Sequence, residues 1–563
     1  MSTSAEDMKE EILSAINHVL AKQDERLLVP ILARQDYTLL ISNGLYEDLL
    51  KIVIDHIEAK VQEAKLFRRQ FEFYENTLCD LIKVSLSEGA VLSLIEHGTE
   101  NSNDVFLVIL KPLTLLLDQV INKCTVIQWS FTMIEDKLTA LTLENHKLEG
   151  EELKLLDLDN DVETVIEMYM EAIKFYSYVI DNHYEDDLKH CLISSLVTIL
   201  GNPMTNADLD SKENALPSNI RGQAEKIMLL VCKLIVNPVK FYNCLSLNED
   251  LKKCKNMSVD NFPLSLQKSL IFPLEEFPSC ALANFFYLLF SEKIGSFPQV
   301  YSPVYLFVQN TSLSQHLIIS YSYLSINKGL KLMESSLEWI EDQSLTANDL
   351  FQVKDLINIF ETLVNLVIYN DMKSLRLLGV KVFLSLLNKP SKDVLYLILL
   401  RIESILSQHS GLKSEIINNV LIRNLIHYNN KKLYDLIYMY CKLEKGIETD
   451  VVENKESIIS SLNLLKYVKL NKHFAEFSEK YFPTFEAKIL KVLKEALKIS
   501  KEHYEAFLQE VQSGIVDRNK PEMSVSLMNN QKLPSVDPKQ QEECLKESLC
   551  AIDLIQWTLS SVV

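Results

Sequence analysis

Glycine and proline are scarce in this chain, at 12 and 15 of 563 residues. Average usage would give about 7% and about 5%, so the usual punctuation of turns is thin. Long helices with short connections fit such a chain best. The ten cysteines are scattered and form no C-x-x-C pair, which argues against a secreted disulfide framework and for free thiols in a reducing compartment. Long Lys/Arg blocks are missing and the net charge is −20. That excludes the basic footprint nucleic acid requires and disfavours an anionic membrane surface. The longest nearly apolar stretch, "CALANFFYLLF", falls short of the roughly 18 residues of a membrane helix. The opening "MSTSAEDMKEE" is acidic and has no apolar signal core. The expectation is a cytoplasmic protein, with the nucleus as a second compartment.

Missing glycine motifs remove several enzyme classes. The closest glycines are Gly89 and Gly98, so there is no G-x-G-x-x-G, no P-loop and no G-x-S-x-G elbow. Zinc-type Cys/His spacing and HExxH are also missing. "DLDND" at Asp157 to Asp161 opens like an EF-hand, but Val162 stands where the turn needs Gly and Met168 where a bidentate Glu is needed. A solvated acidic loop is the better reading. His190 and Cys191 are sequence neighbours, and neighbours on a helix do not face each other. Cys254 has Lys252, Lys253 and Lys255 around it, which can lower a thiol pKa, but an ordinary surface thiol in a loop is the better reading. No catalytic, cofactor-binding or metal-binding residue is assigned, and the expectation is no enzyme.

What the chain does have is helical period. Leu113, Leu116, Leu117, Val120 and Ile121 share one helical face. Leu330, Met333, Leu337 and Ile340 repeat the pattern, as do Leu375, Leu378, Val382 and Leu386. In "GIETDVVENKESIISSLNLLKYV", Ile458, Leu462, Leu465 and Val468 form another stripe, with Ser461, Asn463 and Lys466 pointing elsewhere. Asp450 with Glu453 predicts a capping box, Asn454 offers a second cap, and Gly446 can end the preceding helix. Helices of this kind in succession predict an all-α, HEAT-like helical-repeat solenoid. Three segments interrupt it: "HKLEGEELKLLDLDNDVE", "NPMTNADLDSKENALPSN" and "DRNKPEMSVSLMNNQKLPSVDPKQQ". The first reads as a loop or a frayed helix start, the second as a turn-rich stretch with little apolar content, and the last as a flexible loop. The expected divisions are N-terminal repeats over 1–261, C-terminal partner-binding repeats over 262–511, the flexible loop over 512–541, and a helix over 542–563 that packs back on the array.

Several stretches in order resemble the glomulin family. "LKPLTLLLDQVINK" is similar to its L-x-P-L…NK helix through Leu110, Pro112, Leu113, Asn122 and Lys123. "SPVYL" and then "NKGLKLMESSLEWIEDQSL" resemble S-P-L-Y-L and K-G-L-x-L-x-E-x-S-L-x-x-I-E-D-x-S-L, including Lys328, Gly329 and Leu330. "HSGLKSEIINNV" follows with His409, Ser410, Gly411, Ile416, Ile417 and Asn419. The stretch from Gly446 to Val468 resembles G-x-E-T-D-x-x-x-N…S-L-N-L-L-[KR]-Y, and "ISKEHYEA" resembles M-S-K-x-H-Y-E-A. The matches span about residues 105 to 506 and leave the first hundred residues poorly covered.

The resemblance implies a non-catalytic protein whose C-terminal repeats bind the RING domain of the RING-box subunit of cullin–RING ubiquitin ligases. There it would mask the site of the ubiquitin-conjugating enzyme. Zinc would belong to the RING partner, and no cofactor or small-molecule substrate is expected. Candidate partner-binding residues in the C-terminal half are Asn388, Arg423, Glu448, Thr449, Asp450 and Lys466. Glu448, Thr449 and Asp450 precede a helix, so capping competes with contact for their roles. The alternative reading is a generic helical-repeat scaffold or trafficking adaptor.

Overall fold

In a computed structural model the chain folds into helices. The structure describes residues 5–562 except 63–67, 85–86, 149, 185, 212–217, 243–277, 354–355, 407–408 and 514–537. Cys254 and most of the Pro-containing segment lie outside the described residues. Among the described residues there is no strand; one isolated parallel bridge pairs Leu345 with Pro390. The backbone divides into two compact units, Met1–Ser336 and Leu337–Val563. The expected 261/262 boundary falls outside the described residues.

The first unit carries α1 (Ala5–Lys22), α2 (Tyr46–Gln62), α3 (Arg68–Ile82), α4 (Ser87–Glu100), α5 (Asn103–Leu117) and α6 (Lys123–Ala140). It continues with α7 (Asn160–Asn182), α8 (Asp186–Thr198), α9 (Asn219–Leu234), α10 (Ser279–Phe290), α11 (Pro303–Ile318) and α12 (Tyr323–Glu338), whose end carries the boundary. Helices pack on neighbours one and two places along: α3 on α5, α5 on α7, α7 on α9, and α4 on α6, α6 on α8. That is the repeating register of a solenoid, in which each hairpin buries its apolar stripe on the next. "CALANFFYLLF" falls in α10, where every residue from Ala281 to Phe290 is buried. A helix apolar all round belongs in a core. Among the described residues no helix is long and apolar enough to cross a membrane.

Several local expectations need correction. Leu113, Leu116 and Leu117 are buried, but α5 stops at Leu117, and Ile121 beyond it is 88% exposed. Asn122 does not belong to that helix; it stands at the N-cap of α6. Of the two readings of the acidic segment, the helix start is nearer: Gly150–Leu158 winds into a 3₁₀ helix and Asp159 caps α7 by accepting from Asp161 N. The largest departure is the segment beginning "NPMTNADLD". Its backbone is irregular apart from a 3₁₀ turn over Met204–Asn206, yet Pro203, Met204, Thr205, Ala207, Asp208 and Leu209 are buried.

A polar network explains that burial. Lys328, from the stretch resembling K-G-L, is 1% exposed and donates to the carbonyls of Met204 and Thr205 at 2.7 and 2.8 Å. Asp210 accepts from Asn327 and from Lys331, both at 2.8 Å. The Tyr287 hydroxyl lies 2.6 Å from Asp210 and 2.8 Å from Glu292, and donates to one of them. Arg221 pairs with Glu292 and reaches the Leu209 carbonyl. Burial pushes the Lys328 ammonium down to about 7 against the pull of Asp210, Asp208 and Glu292. Burial works to raise the Asp210 carboxyl, but Lys331 and the Tyr287 hydrogen bond hold it below its ordinary value. Polar side chains thus peg a strand-free loop into the core by satisfying its backbone.

Candidate functional site

The second unit contains α13 (Leu356–Tyr369), α14 (Lys373–Asn388), α15 (Lys392–Leu406), α16 (Ser410–Ile416) and α17 (Asn430–Cys441). After these come α18 (Lys455–Leu470), α19 (Ala475–Phe485), α20 (Lys491–Ser513) and α21 (Pro538–Ser560). The resemblance directs attention to α18, and its structure shows how it is held. Ile458, Leu462, Leu465 and Val468 are buried as the spacing predicts. Ser461 does not point away: it is buried with Ser457 and Ser460. Ser460 Oγ lies 2.7 Å from Ser414 Oγ, Ser457 N donates to Ser410 Oγ at 3.1 Å, and Ser461 Oγ donates to the Tyr440 carbonyl at 3.3 Å. Small side chains let α16 and α17 approach a second face of the helix. Behind that face the Cys441 thiol is buried, and desolvation pushes its pKa up to about 12.

The entrance to α18 differs from the expected one. Gly446 has a positive φ of 56°, a conformation glycine tolerates, but α17 ends earlier, at Cys441, with Lys442 as its C-cap. Asp450 Oδ1 accepts from Val452 N at 2.9 Å and Glu453 N at 3.1 Å. It therefore organises the turn before the helix rather than the helix itself. Asn454 is the N-cap by position; its side chain makes no capping bond and donates instead to the Asp450 carbonyl. The other Asp450 oxygen receives the Tyr504 hydroxyl of α20 at 3.3 Å, and burial together with Asp450 pushes that phenol up to about 12.

The C-terminal helix completes the assembly. Leu545, Ile552, Ile555 and Leu559 of α21 are buried, and α21 packs on both α20 and α18. Lys501 pairs with Asp553 at 2.8 Å, Lys466 donates to Ser561 Oγ at 3.1 Å, and Lys469 donates to the Val562 carbonyl at 2.7 Å. A cleft of about 880 Å³ opens between α20 and α21, with Leu490, Leu497 and Leu559 below and lysines and glutamates around it. On the outer side of α21, Leu554 and Trp557 are 50% and 71% exposed. Their i, i+3 spacing puts them together on one face.

Of the six candidate residues, Asp450 and Lys466 belong to this assembly, and Glu448 is exposed beside it. Thr449 turns inward: it is 7% exposed, and its hydroxyl is buried without a hydrogen-bond partner. As folded, it presents no surface to a partner. Asn388 is half-buried at the end of α14, and Arg423 is exposed in the short helix Ile422–Asn424, both earlier in the stack. Sequence reasoning missed Leu554 and Trp557. The available signal was "LIQW" within an otherwise amphipathic C-terminal helix, where a tryptophan falls outside the apolar stripe. Among the described residues, no group of three or more His, Cys, Asp or Glu side chains could hold a metal ion.

No family model matches the chain. It is 30% identical to mouse (Mus musculus) glomulin over 302 residues, 50% of this chain and 49% of the relative. It is 28% identical to human (Homo sapiens) glomulin over 299 residues, with the same shares. The chain thus spans about half the length of the curated relatives it matches. A solved circular tandem repeat protein with novel repeat topology covers 98% of this chain and 97% of its own at 11% identity. Its TM-score of 0.21 carries no argument about the fold. The sequence matches support a relationship to the glomulin family, carried by about half of the chain.

Proposed function

We propose that this chain is a non-catalytic inhibitor of cullin–RING ubiquitin ligases, acting through its second unit on the RING domain of the RING-box subunit. The observation that carries the reading is the ordered set of glomulin-like stretches, in a chain related to two glomulins. The mechanism is steric. A rigid helical surface seated on the RING covers the ground that a ubiquitin-conjugating enzyme needs, so transfer stops without any chemistry by this chain. The surface offered for that role is the α18–α20–α21 assembly, with Glu448, Asp450 and Lys466 as polar contacts and Leu554 and Trp557 as the apolar anchor. Asn388 and Arg423 are kept as outlying contacts. Exposed tryptophans are over-represented among residues that dominate binding energy.

Ubiquitin transfer by a purified cullin–RING ligase, with and without the full chain, tests this directly. Inhibition should recede as conjugating enzyme is raised, because the two compete. Trp557→Ala should weaken inhibition at least about tenfold, as an interface anchor does, with thermal stability nearly unchanged for so exposed a side chain. Inhibition that stays constant across a wide range of conjugating enzyme would rule out masking. A chain that neither inhibits nor binds the RING-box subunit would leave a helical-repeat scaffold or adaptor as the function.

A further inference from the structure

A hydrogen-bonded strap joins parts of the first unit that are far apart along the array. After α6 the chain runs without regular structure from Leu141 to Lys147. Asn202, in the buried loop beyond α8, holds the start of this run by donating to the carbonyls of Thr139 and Leu141 at 2.8 and 2.7 Å. Asn145 holds its far end. Its Nδ2 donates to the Tyr321 carbonyl at 2.7 Å and its Oδ1 accepts from Tyr323 N at 3.2 Å, across 176 and 178 residues of sequence. Tyr323 opens α12, where the first N–H groups have no partner within the helix. One amide side chain thus matches both a C=O and an N–H of the α11–α12 turn. The strap also lies against what it crosses. Leu141 and Leu143 pack on the core, and His146 Nε2 is 3.3 Å from Asp159, the cap of α7. Leu143 and Glu144 face Asn206, Asp208 and Ser218 across a cavity of about 20 Å³.

We propose that residues 139–147 form a clasp that locks the helices from α6 to α12 into one body. In a plain solenoid each hairpin touches only its neighbours, so bending is shared out seam by seam. The helices α6 and α12 stand six places apart in chain order, and a direct link between them removes that freedom for every seam in between. The clasp also shuts the edge at which the buried loop meets the starts of α7 and α9. It does this with exposed side-chain bonds, which open at less cost than the packed helices they join. The first unit therefore has two states with the same helices: clasped, with the loop sealed, and unclasped, with that edge open to water. The device lies wholly within the first unit and does not depend on the inhibitor reading.

Hydrogen–deuterium exchange of the intact chain, read peptide by peptide, tests the clasp. Asn145→Ala removes both bonds of an exposed side chain, so the helices stay folded, and circular dichroism checks that they do. Exchange should quicken at least about tenfold in 139–147 and 320–323. The decisive readout lies where Asn145 forms no hydrogen bond. The amides of 204–209 should exchange several-fold faster, while α1 to α4 and the second unit keep the rates of the parent. Asn202→Ala should in turn quicken 320–323, to which Asn202 is not bonded. Asn17→Ala, which removes a side-chain bond to the Leu13 carbonyl within α1, should leave both regions unchanged. Acceleration confined to 139–147 and 320–323 in Asn145→Ala would reduce the strap to a local tether. Equal acceleration in α1 to α4 would mean a general loss of stability. Either result overturns the clasp.

Discussion

Single residues show how much the first unit depends on polar chemistry at its centre. An unfolded lysine keeps its proton to about 10.4, whereas buried Lys328 gives it up near 7. Between those values the unfolded chain binds more protons, so stability should rise with pH through that window. Below about 7 the cost of burying the charge is fully present. Urea midpoints taken from pH 7 to 9.5 should climb more steeply for the parent than for Lys328→Met, and equal slopes would show the ammonium is not strained by burial. At pH 9.5 the substitution should cost about 1–3 kcal/mol, because the Thr205 carbonyl loses its donor. Gly329 next door has a different task. A Cβ there would come within 2.8 Å of the Ser314 carbonyl and 2.7 Å of Ile318. Gly329→Ala should therefore force α11 and α12 apart and cost about 1–3 kcal/mol, read as a lowered denaturation midpoint.

At the scale of elements, sequence and structure agree where period alone decides. The stripes of α12, α14 and α18 are buried nearly as spacing predicts: Leu330, Met333, Val382, Leu386, Leu462 and Leu465 are all within the core. Leu462→Asp should accordingly cost several kcal/mol, since a carboxylate would be buried without a partner; a variant that melts like the parent would mean the face is misassigned. Agreement fails where long-range contacts choose. Nothing local tells Ser461 that α17 lies within reach of its hydroxyl, or tells Asp208 and Asp210 that Lys328 and Lys331, more than a hundred residues on, will bury them. Helix ends fail for the same reason: Asp450 can cap either a turn or a helix, and the hydroxyl of Tyr504 joins it only after α20 has docked. The polar part of the candidate site was legible because it sits in a recurring stretch. Its apolar part, Leu554 and Trp557, is visible only once the buried side of α21 is known.

Taken whole, the molecule is a succession of local interfaces in two compact units, so its stability should be regional. Stacked repeats lose contacts mainly with their neighbours. Lys328→Met should raise amide exchange in α8–α12 far more than in α17–α21, and uniform acceleration along the chain would mean a single cooperative block. Far-ultraviolet circular dichroism should be dominated by helix. The buried thiols then acquire a use that has nothing to do with redox chemistry. Cys441 lies behind the serine face of α18, and Cys79 is buried in the first unit, its pKa pushed up to about 11 by desolvation. Neither is reactive while its helices stay closed, since the thiolate is the species that attacks. Each is therefore a clock: the time a thiol reagent takes to find it measures how often that seam breathes, and the described residues place one such timer in each unit.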